Sequence, residues 1–433
     1  MSYSRLSNYF YLAIALFYLV TFSTFNAFAV EVAPPFAFLN ASELSHVKQQ
    51  LSRGAAADQT QQAYRLLLIA ADRALSQSDM SVIDKGMTPP SGSKNDYLSL
   101  SAYWWPDAGK PDGLPWIRRD GKINPASKNE QSDGVRLASF TSKVQILTFA
   151  WYFSGQQRYA DKAASMLHRW FVDPKTKMNP NLNFAQGVPG IAAGRSSGVL
   201  DGRYFATRIV DAISLLRSNP GWTQKDDKAV RKWMQDYLEW LLTNPIALKE
   251  SRALNNHGNW YATQVAGIAW FLNKPELVTR MVTLTKSKLE TQLDVDCSQP
   301  LELARTRSFH YSYFNLQAVT LLAKLAEKNH QDLWRYKTAK GSGVIGALDY
   351  MAPYVDNSKP WPYKTLDRVG ERLIPLFNSA DKALRQPRYQ QQISHAAFIL
   401  DSELNKSKDA RRGAIIEAQR ELWLLSLPLS NEN

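Results

Sequence analysis

A single cysteine, Cys297, occurs in 433 residues, so no disulfide can form within the chain and the fold must rest on its core. A chain this long can build one. Histidine is scarce as well. The six histidines form neither H-x-x-x-H nor H-E-x-x-H, so the common zinc patterns are missing, and no metal or other cofactor is expected. Acidic residues are outnumbered, 39 against 52 Lys and Arg, for a net charge of +13. No clustered basic arm or nucleic-acid motif accompanies that excess, which argues against nucleic acid as the partner. Convincing strand alternation is absent, and no fixed-period repeat suggests an open solenoid.

The long apolar run of the chain is Tyr9 to Phe25. It follows Arg5 and precedes Ala27-Phe28-Ala29, the order of an export signal with an A-x-A cleavage site. Thr21, Ser23, Thr24 and Asn26 dilute its second half, as a membrane anchor would not require. Residues 1–29 are therefore expected to be a signal peptide removed after Ala29, leaving a periplasmic or secreted protein without a membrane anchor. Its removal takes one arginine and no acid, so the remaining chain carries +12. Residues 30–433 show no composition shift and are expected to be one domain, acting as a monomer.

The basic residues are spread singly among 13 Trp and 19 Tyr. Rings that pack on sugar faces and guanidinium groups that pair with carboxylates suit an acidic polysaccharide. Beyond Pro34 and Pro35, helical periodicity dominates. Tyr64, Leu67, Leu68, Ala71 and Leu75 recur at helical steps within 58–76, and further helices are expected at 131–153, 158–171, 200–217, 225–242, 260–272, 275–292, 309–329, 332–351, 366–377, 388–400 and 414–427. Two long Pro- and Gly-rich stretches, 79–129 and 172–198, interrupt them, and loops of that length are usually functional. The helices form consecutive hairpins, which can pack side by side or close into a ring. The expected class is all-α, an incomplete α/α toroid with long loops around a central cleft.

Two segments concentrate reactive groups. Asn255-Asn256-His257-Gly258-Asn259-Trp260-Tyr261 offers amides and an imidazole. Arg305-Thr306-Arg307-Ser308-Phe309-His310-Tyr311 offers two guanidiniums, a second imidazole and a phenol. Each alone reads as a loop, a helix cap or a core residue. Together they contain what β-elimination of a uronic acid polymer needs: donors to neutralise the carboxylate, a base for the carbon acid beside it, and an acid for the departing oxygen. Asn256 and either Arg305 or Arg307 fit the donors. Tyr311 fits the acid, and also the base if flanking cations lower its pKa from roughly 10. His257 fits a base or a further neutralising group.

These two motifs, with Tyr103-Trp104-Trp105-Pro106-Asp107, the Gly113 to Gly121 stretch and the Gln186 to Arg195 loop, resemble the alginate lyase superfamily of α/α toroids. That group includes the periplasmic alginate lyases of polysaccharide lyase family five and the glucuronan-active lyases of family thirty-eight, and the loop motifs are closer to the latter. The resemblance implies that Asn256 and one arginine hold the carboxylate. It also implies that His257 and Tyr311 share proton transfer, with Tyr311 protonating the leaving oxygen. In the alginate-specific pattern the first arginine stands seven residues before the tyrosine, whereas Arg305 stands six before Tyr311. Arg305 and Arg307 thus both remain open.

Subsites are expected from the loops. Trp104, Trp105, Trp116 and Tyr363 can stack on sugars, and Arg118, Arg119 and Arg195 can meet neighbouring uronates. Gln186, Asn255 and His310 complete the expected binding set. Two other readings exist. A glycoside hydrolase would need paired carboxylates, and Asp107, Asp201 and Glu302 show no obvious partnering. A non-catalytic polyanion-binding protein would keep the arginines and tryptophans without needing Tyr311.

Overall fold

The computed structural model describes residues 36–355, 358–397 and 409–429; the expected signal peptide lies outside them. Local chemistry sets the helix ends. Asn40 accepts from the Ser42 and Glu43 N–H groups to open α1 (Ala41–Ser52), and α2 (Asp58–Leu75) follows. Helix α3 (Asp133–Ser154) stops at Gly155, whose φ of 71° ends the helix, and α4 (Gln157–Leu167) folds back on it. Next come α5 (Val210–Leu216) and α6 (Gln224–Thr243), the latter opened by a Thr223–Asp226 capping box. Asn244 caps α7 (Pro245–Ser251), and Asn255 caps α8 (Asn256–Phe271). The series continues with α9 (Pro275–Gln292), α10 (Pro300–Leu303), α11 (Ser308–Lys328), α12 (Val344–Met351), α13 (Ile374–Leu384), α14 (Gln390–Ala397) and α15 (Asp409–Arg420).

The chain is all-α, and its antiparallel hairpins build the expected incomplete α/α toroid. Two helices occupy its middle. In α8 every residue but His257 and Trp270 is buried, and α11 is buried along most of its length. A helix with no polar face has to be surrounded. These two pack on each other and on α9, which runs back between them, so their N-termini share one end of the molecule.

Buried amides fix how α8 and α11 sit together. The Asn259 amide donates to Gln292 and to Asn315, both at 2.7 Å. Asn315 donates to Gln299 at 2.8 Å, and Thr263 to the Ala318 carbonyl at 2.8 Å. A slide of one helix past the other would leave several of these groups unpaired, at about 1–3 kcal/mol each.

Four short strands tie the long loops together. β1 (Leu98–Leu100) pairs in parallel with β4 (Phe184–Gly187), and β2 (Trp104–Trp105) pairs antiparallel with β3 (Ile117–Arg118). The Trp116 N–H donates to the Pro189 carbonyl at 3.1 Å. Beside it Gly190 has φ of 78°, and a Cβ there would fall 2.7 Å from the Pro115 Cα, so only glycine lets the loops meet.

Several boundaries differ from expectation. The region expected as a helix at 332–351 is helical only from Val344, because Gly341 (φ 78°) and the Thr338–Ser342 hydrogen bond make a turn first. The helix expected at 366–377 begins at Ile374, since Thr365 is held extended against Arg307. Helices α7 and α10 were not expected; Pro245 and Pro300 open them at positions where a missing N–H costs nothing. No helix among the described residues is long and apolar enough to cross a membrane.

Candidate active site

A cavity of about 640 Å³ lies at the shared N-terminal end of α8 and α11, with the two long loops forming part of its wall. Asn255, His257, Arg305, His310 and Tyr311 all line it, so the fold brings the two separated motifs together.

On the α8 side, the Asn255 side-chain oxygen accepts from the His257 N–H, as a cap should. That leaves its amide NH₂ without a hydrogen-bond partner among the described residues. The His257 ring turns Nδ1 to Glu250, 2.5 Å away. Glu250 is 3% exposed and sits on α7. A buried carboxylate at Nδ1 favours the tautomer with its proton there, leaving Nε2 as the acceptor on the opposite edge of the ring.

Asn256 is placed elsewhere. It is fully buried, its amide donating to Glu302 at 2.8 Å and its backbone N–H to the other Glu302 oxygen at 2.7 Å. Helix periodicity explains this: consecutive residues point about 100° apart, so only one of the Asn256–His257 pair faces the cavity. The amide at the cavity wall belongs to Asn255.

On the α11 side, the Tyr311 hydroxyl donates to the Tyr103 hydroxyl at 3.0 Å, and the Arg305 guanidinium lies 3.8 Å from the Tyr311 ring centroid. Burial pushes the phenol well above the usual tyrosine range; Arg305 pulls the other way and does not prevail. The condition on which Tyr311 would also fit the base, a pKa lowered by flanking cations, is therefore not met. Tyr311 is a protonated phenol at neutral pH.

Asp120 holds Arg305 through both oxygens, at 2.8 and 3.3 Å, and accepts from the Thr306 hydroxyl at 3.0 Å and from Arg118 at 2.9 Å. Burial opposes ionisation of Asp120, but these donors and the Arg305 charge hold its carboxyl well below the usual range. The loop lies close here: a Cβ on Gly121 would fall 2.4 Å from the Thr306 hydroxyl. Arg307 does not line the cavity but touches the Tyr103 side chain that does. Its fork grips Asp367 and its Nη1 meets the Tyr103 hydroxyl at 3.4 Å.

The expected loop residues divide in two. Trp104, Arg118, Gln186 and Arg195 line the cavity, with the Arg195 guanidinium 5.2 Å above the Trp104 ring. Trp105, Trp116, Arg119 and Tyr363 do not. The Trp105 indole donates to the Lys122 carbonyl and carries Arg119 above its ring, so these two anchor the loop. Trp116 sits where the two loops join, and the Tyr363 hydroxyl pairs with that of Tyr350 at 2.9 Å.

His310 is kept neutral, its pKa lowered to about 3 by burial and by Arg307 and Arg372. The carboxylates considered for hydrolysis do not face one another. Asp201 accepts from Tyr97, Ser99 and Gln186, Glu302 holds Asn256, and Asp107 turns to the Gly109 N–H.

Among the cavity residues that escaped the sequence reading are Tyr103, Arg203, Tyr204 and Arg372. The positioning acids Glu250 and Asp120 escaped as well. Tyr103 opens the YWWPD motif, and Glu250 stands seven residues before His257, so both left a faint signal. Arg203 and Arg372 left none.

A sequence model of the alginate lyase family matches residues 81–361. An alginate lyase from Bacteroides ovatus is 33% identical, with a TM-score of 0.80 over 88% of this chain and 99% of that one. Alginate lyase A1-III from Sphingomonas species A1 shares the fold at 16% identity, with a TM-score of 0.52 over 89% of this chain and 97% of that one. A variant of A1-III complexed with tetrasaccharide is similar at 14% identity and a TM-score of 0.55, covering 92% of this chain and 98% of that one. No curated protein matches the chain. With the family model spanning well over half of its length, the chain belongs to the alginate lyase family and is a polysaccharide lyase.

Proposed function

We propose that this lyase cleaves a β-1,4-linked polyuronate, polymannuronate (alginate) or glucuronan, by β-elimination. The observation that carries this is the meeting of the Tyr311 phenol, the Arg305 guanidinium, the Asn255 amide and the Glu250-backed His257 imidazole in one cavity. Relatives whose names are those of alginate lyases support the same reading.

In this reaction Arg305 and the free Asn255 NH₂ take the carboxylate oxygens, and charge building up on them is met by donors already in place. His257 Nε2 accepts the proton from C5. The C5–H electron pair forms the C4–C5 double bond, and the C4–O bond breaks. The Tyr311 hydroxyl gives its proton to the departing oxygen and regains one from solvent, to which His257 releases the proton it took. That division follows from protonation: the phenol enters with its proton, whereas His257 has a free nitrogen. Asn256 serves indirectly, fixing the α8 N-terminus through Glu302. The chain is exported through its N-terminal signal to meet the polymer.

The test is a panel of polymannuronate, polyguluronate, glucuronan and hyaluronan, followed by ultraviolet absorbance of the conjugated double bond and by reducing ends. Absorbance rising with reducing ends on at least one polyuronate is expected. Reducing ends without absorbance would mean hydrolysis and sink the reading.

A further inference from the structure

Of the cavity-wall guanidiniums that the reaction above leaves unused, Arg203 and Arg372 stand out. Arg203 lies over the rings of Tyr204 at 3.9 Å, Phe314 at 5.5 Å and Trp260 at 5.8 Å. Its donors go to the Leu200 carbonyl and the Tyr204 hydroxyl. Arg372 reaches His310 Nδ1 at 3.3 Å and lies 5.9 Å from the Tyr313 ring. Neither is paired with a carboxylate among the described residues, whereas Arg305 and Arg307 each grip an aspartate in both prongs of the fork.

The two arginines, neither of them in a carboxylate pair, line the same cavity. Both bear electrostatically on the same two side chains, His310 and Tyr313. In the same wall the Trp260 indole N–H, 2% exposed, has no acceptor. Acids are present but weakly placed: Asp367, whose carboxyl feels Arg372, is already gripped by Arg307, Glu417 stands 3.9 Å from Arg208, and burial raises the pKa of the Glu421 carboxyl. A guanidinium partly desolvated among rings and without a directly paired carboxylate has room for an anion, and its planar fork suits a carboxylate.

We propose that Arg203 and Arg372 form a second carboxylate site, which takes the acid group of the uronate next to the one being cleaved. The lyase thereby reads two consecutive acidic sugars, and a polymer with a neutral sugar at every second position loses this contact. The inference rests on the polyuronate reading of the cavity.

Binding tests it apart from turnover. In the Tyr311→Phe protein, a β-1,4-linked mannuronate tetrasaccharide and its carboxyl-reduced counterpart are titrated calorimetrically, with and without Arg203→Gln or Arg372→Gln. Each arginine variant is expected to weaken the acidic sugar about tenfold or more, as loss of one charge-assisted fork predicts, and to leave the reduced sugar unchanged. Arg372→Lys should fall between, because it keeps the charge and loses the fork. Unchanged affinity for the acidic sugar overturns the proposal. So does equal weakening of both sugars, or no binding by the Tyr311→Phe protein. If Arg203→Gln fails to fold, Arg372→Gln alone decides. Arginine-dependent binding without cleavage of any polyuronate by the native enzyme would sink the lyase reading and sustain this site; cleavage with arginine-independent binding would do the reverse.

Discussion

Arg305 and Arg307 stand two residues apart and are both half-buried and both forked onto an aspartate, yet they serve different regions. Arg305 is clamped by Asp120 from the first long loop, stays at the cavity wall and lies on the Tyr311 ring. Arg307 is clamped by Asp367 from the segment after Tyr363 and does not line the cavity, meeting it only through the Tyr103 hydroxyl. The chemistry of the pairs is nearly the same. What differs is that Arg305 lines the cavity and Arg307 does not, so a guanidinium–carboxylate pair near a site says little about role until its place in the cavity wall is known.

The largest expected effect tests the group under Arg305. Tyr311→Phe removes the proton donor and one hydrogen bond to Tyr103 but no charge. Its kcat should fall on the order of 10³-fold, while polymer binding stays within a few-fold of native. Activity near native would detach Arg305 from the chemistry along with the phenol. Next comes the comparison itself. Arg305→Gln should lower kcat/KM roughly 10²-fold, the scale of losing one preorganised donor to a developing oxyanion. Arg307→Gln should cost about tenfold or less in turnover, and lower stability by about 1–2 kcal/mol by stranding Asp367, which keeps some solvent. If the two variants exchange these outcomes in kinetics and thermal melting, the assignment is reversed.

A smaller effect separates holding a group from reacting with it. Glu250 touches only the far nitrogen of His257, as Asp120 touches the far side of Arg305. Glu250→Gln should lower kcat about tenfold with little change in KM. The histidine nitrogen resonances should lose the Nδ1–H signature. An unchanged tautomer with falling activity would give Glu250 some other role.

Much of this was legible in the sequence, for definite reasons. The all-α toroid follows from apolar spacing, and the meeting of the two motifs follows from reagents placed at the starts of two apolar helices. Asn256 was misplaced because its side chain was read as a chemical type. Its direction depends on where α8 starts, and Asn255 rather than Asn256 is the cap. Whether its cations lower the Tyr311 pKa could not be read locally, because desolvation depends on neighbours such as Tyr103, more than two hundred residues away. Glu250 and Glu302 sit on short helices whose apolar pattern is too brief to read. Arg203 and Arg372 belong to the cavity only through closure of the ring, which leaves no local trace.

The smallest expected effect concerns the reach of Arg307 through space. With burial, Arg307 and Arg372 lower the His310 pKa to about 3, well under its usual value. A histidine depressed on folding binds fewer protons in the native state than in the unfolded one. Its contribution is therefore present above the unfolded pKa of about 6.5, and is lost as pH falls toward the folded value. Between about pH 6 and pH 5 the native protein should lose on the order of 1 kcal/mol more than His310→Gln. In Arg307→Gln, where one depressing charge is gone, the extra loss should shrink over that range. Denaturant unfolding at the two pH values measures it. Equal losses in the native and Arg307→Gln proteins, both exceeding that of His310→Gln, would show that Arg307 acts on Asp367 alone, whereas the expected ordering would make it one of the groups, with burial and Arg372, that keep the imidazole beside Tyr311 uncharged.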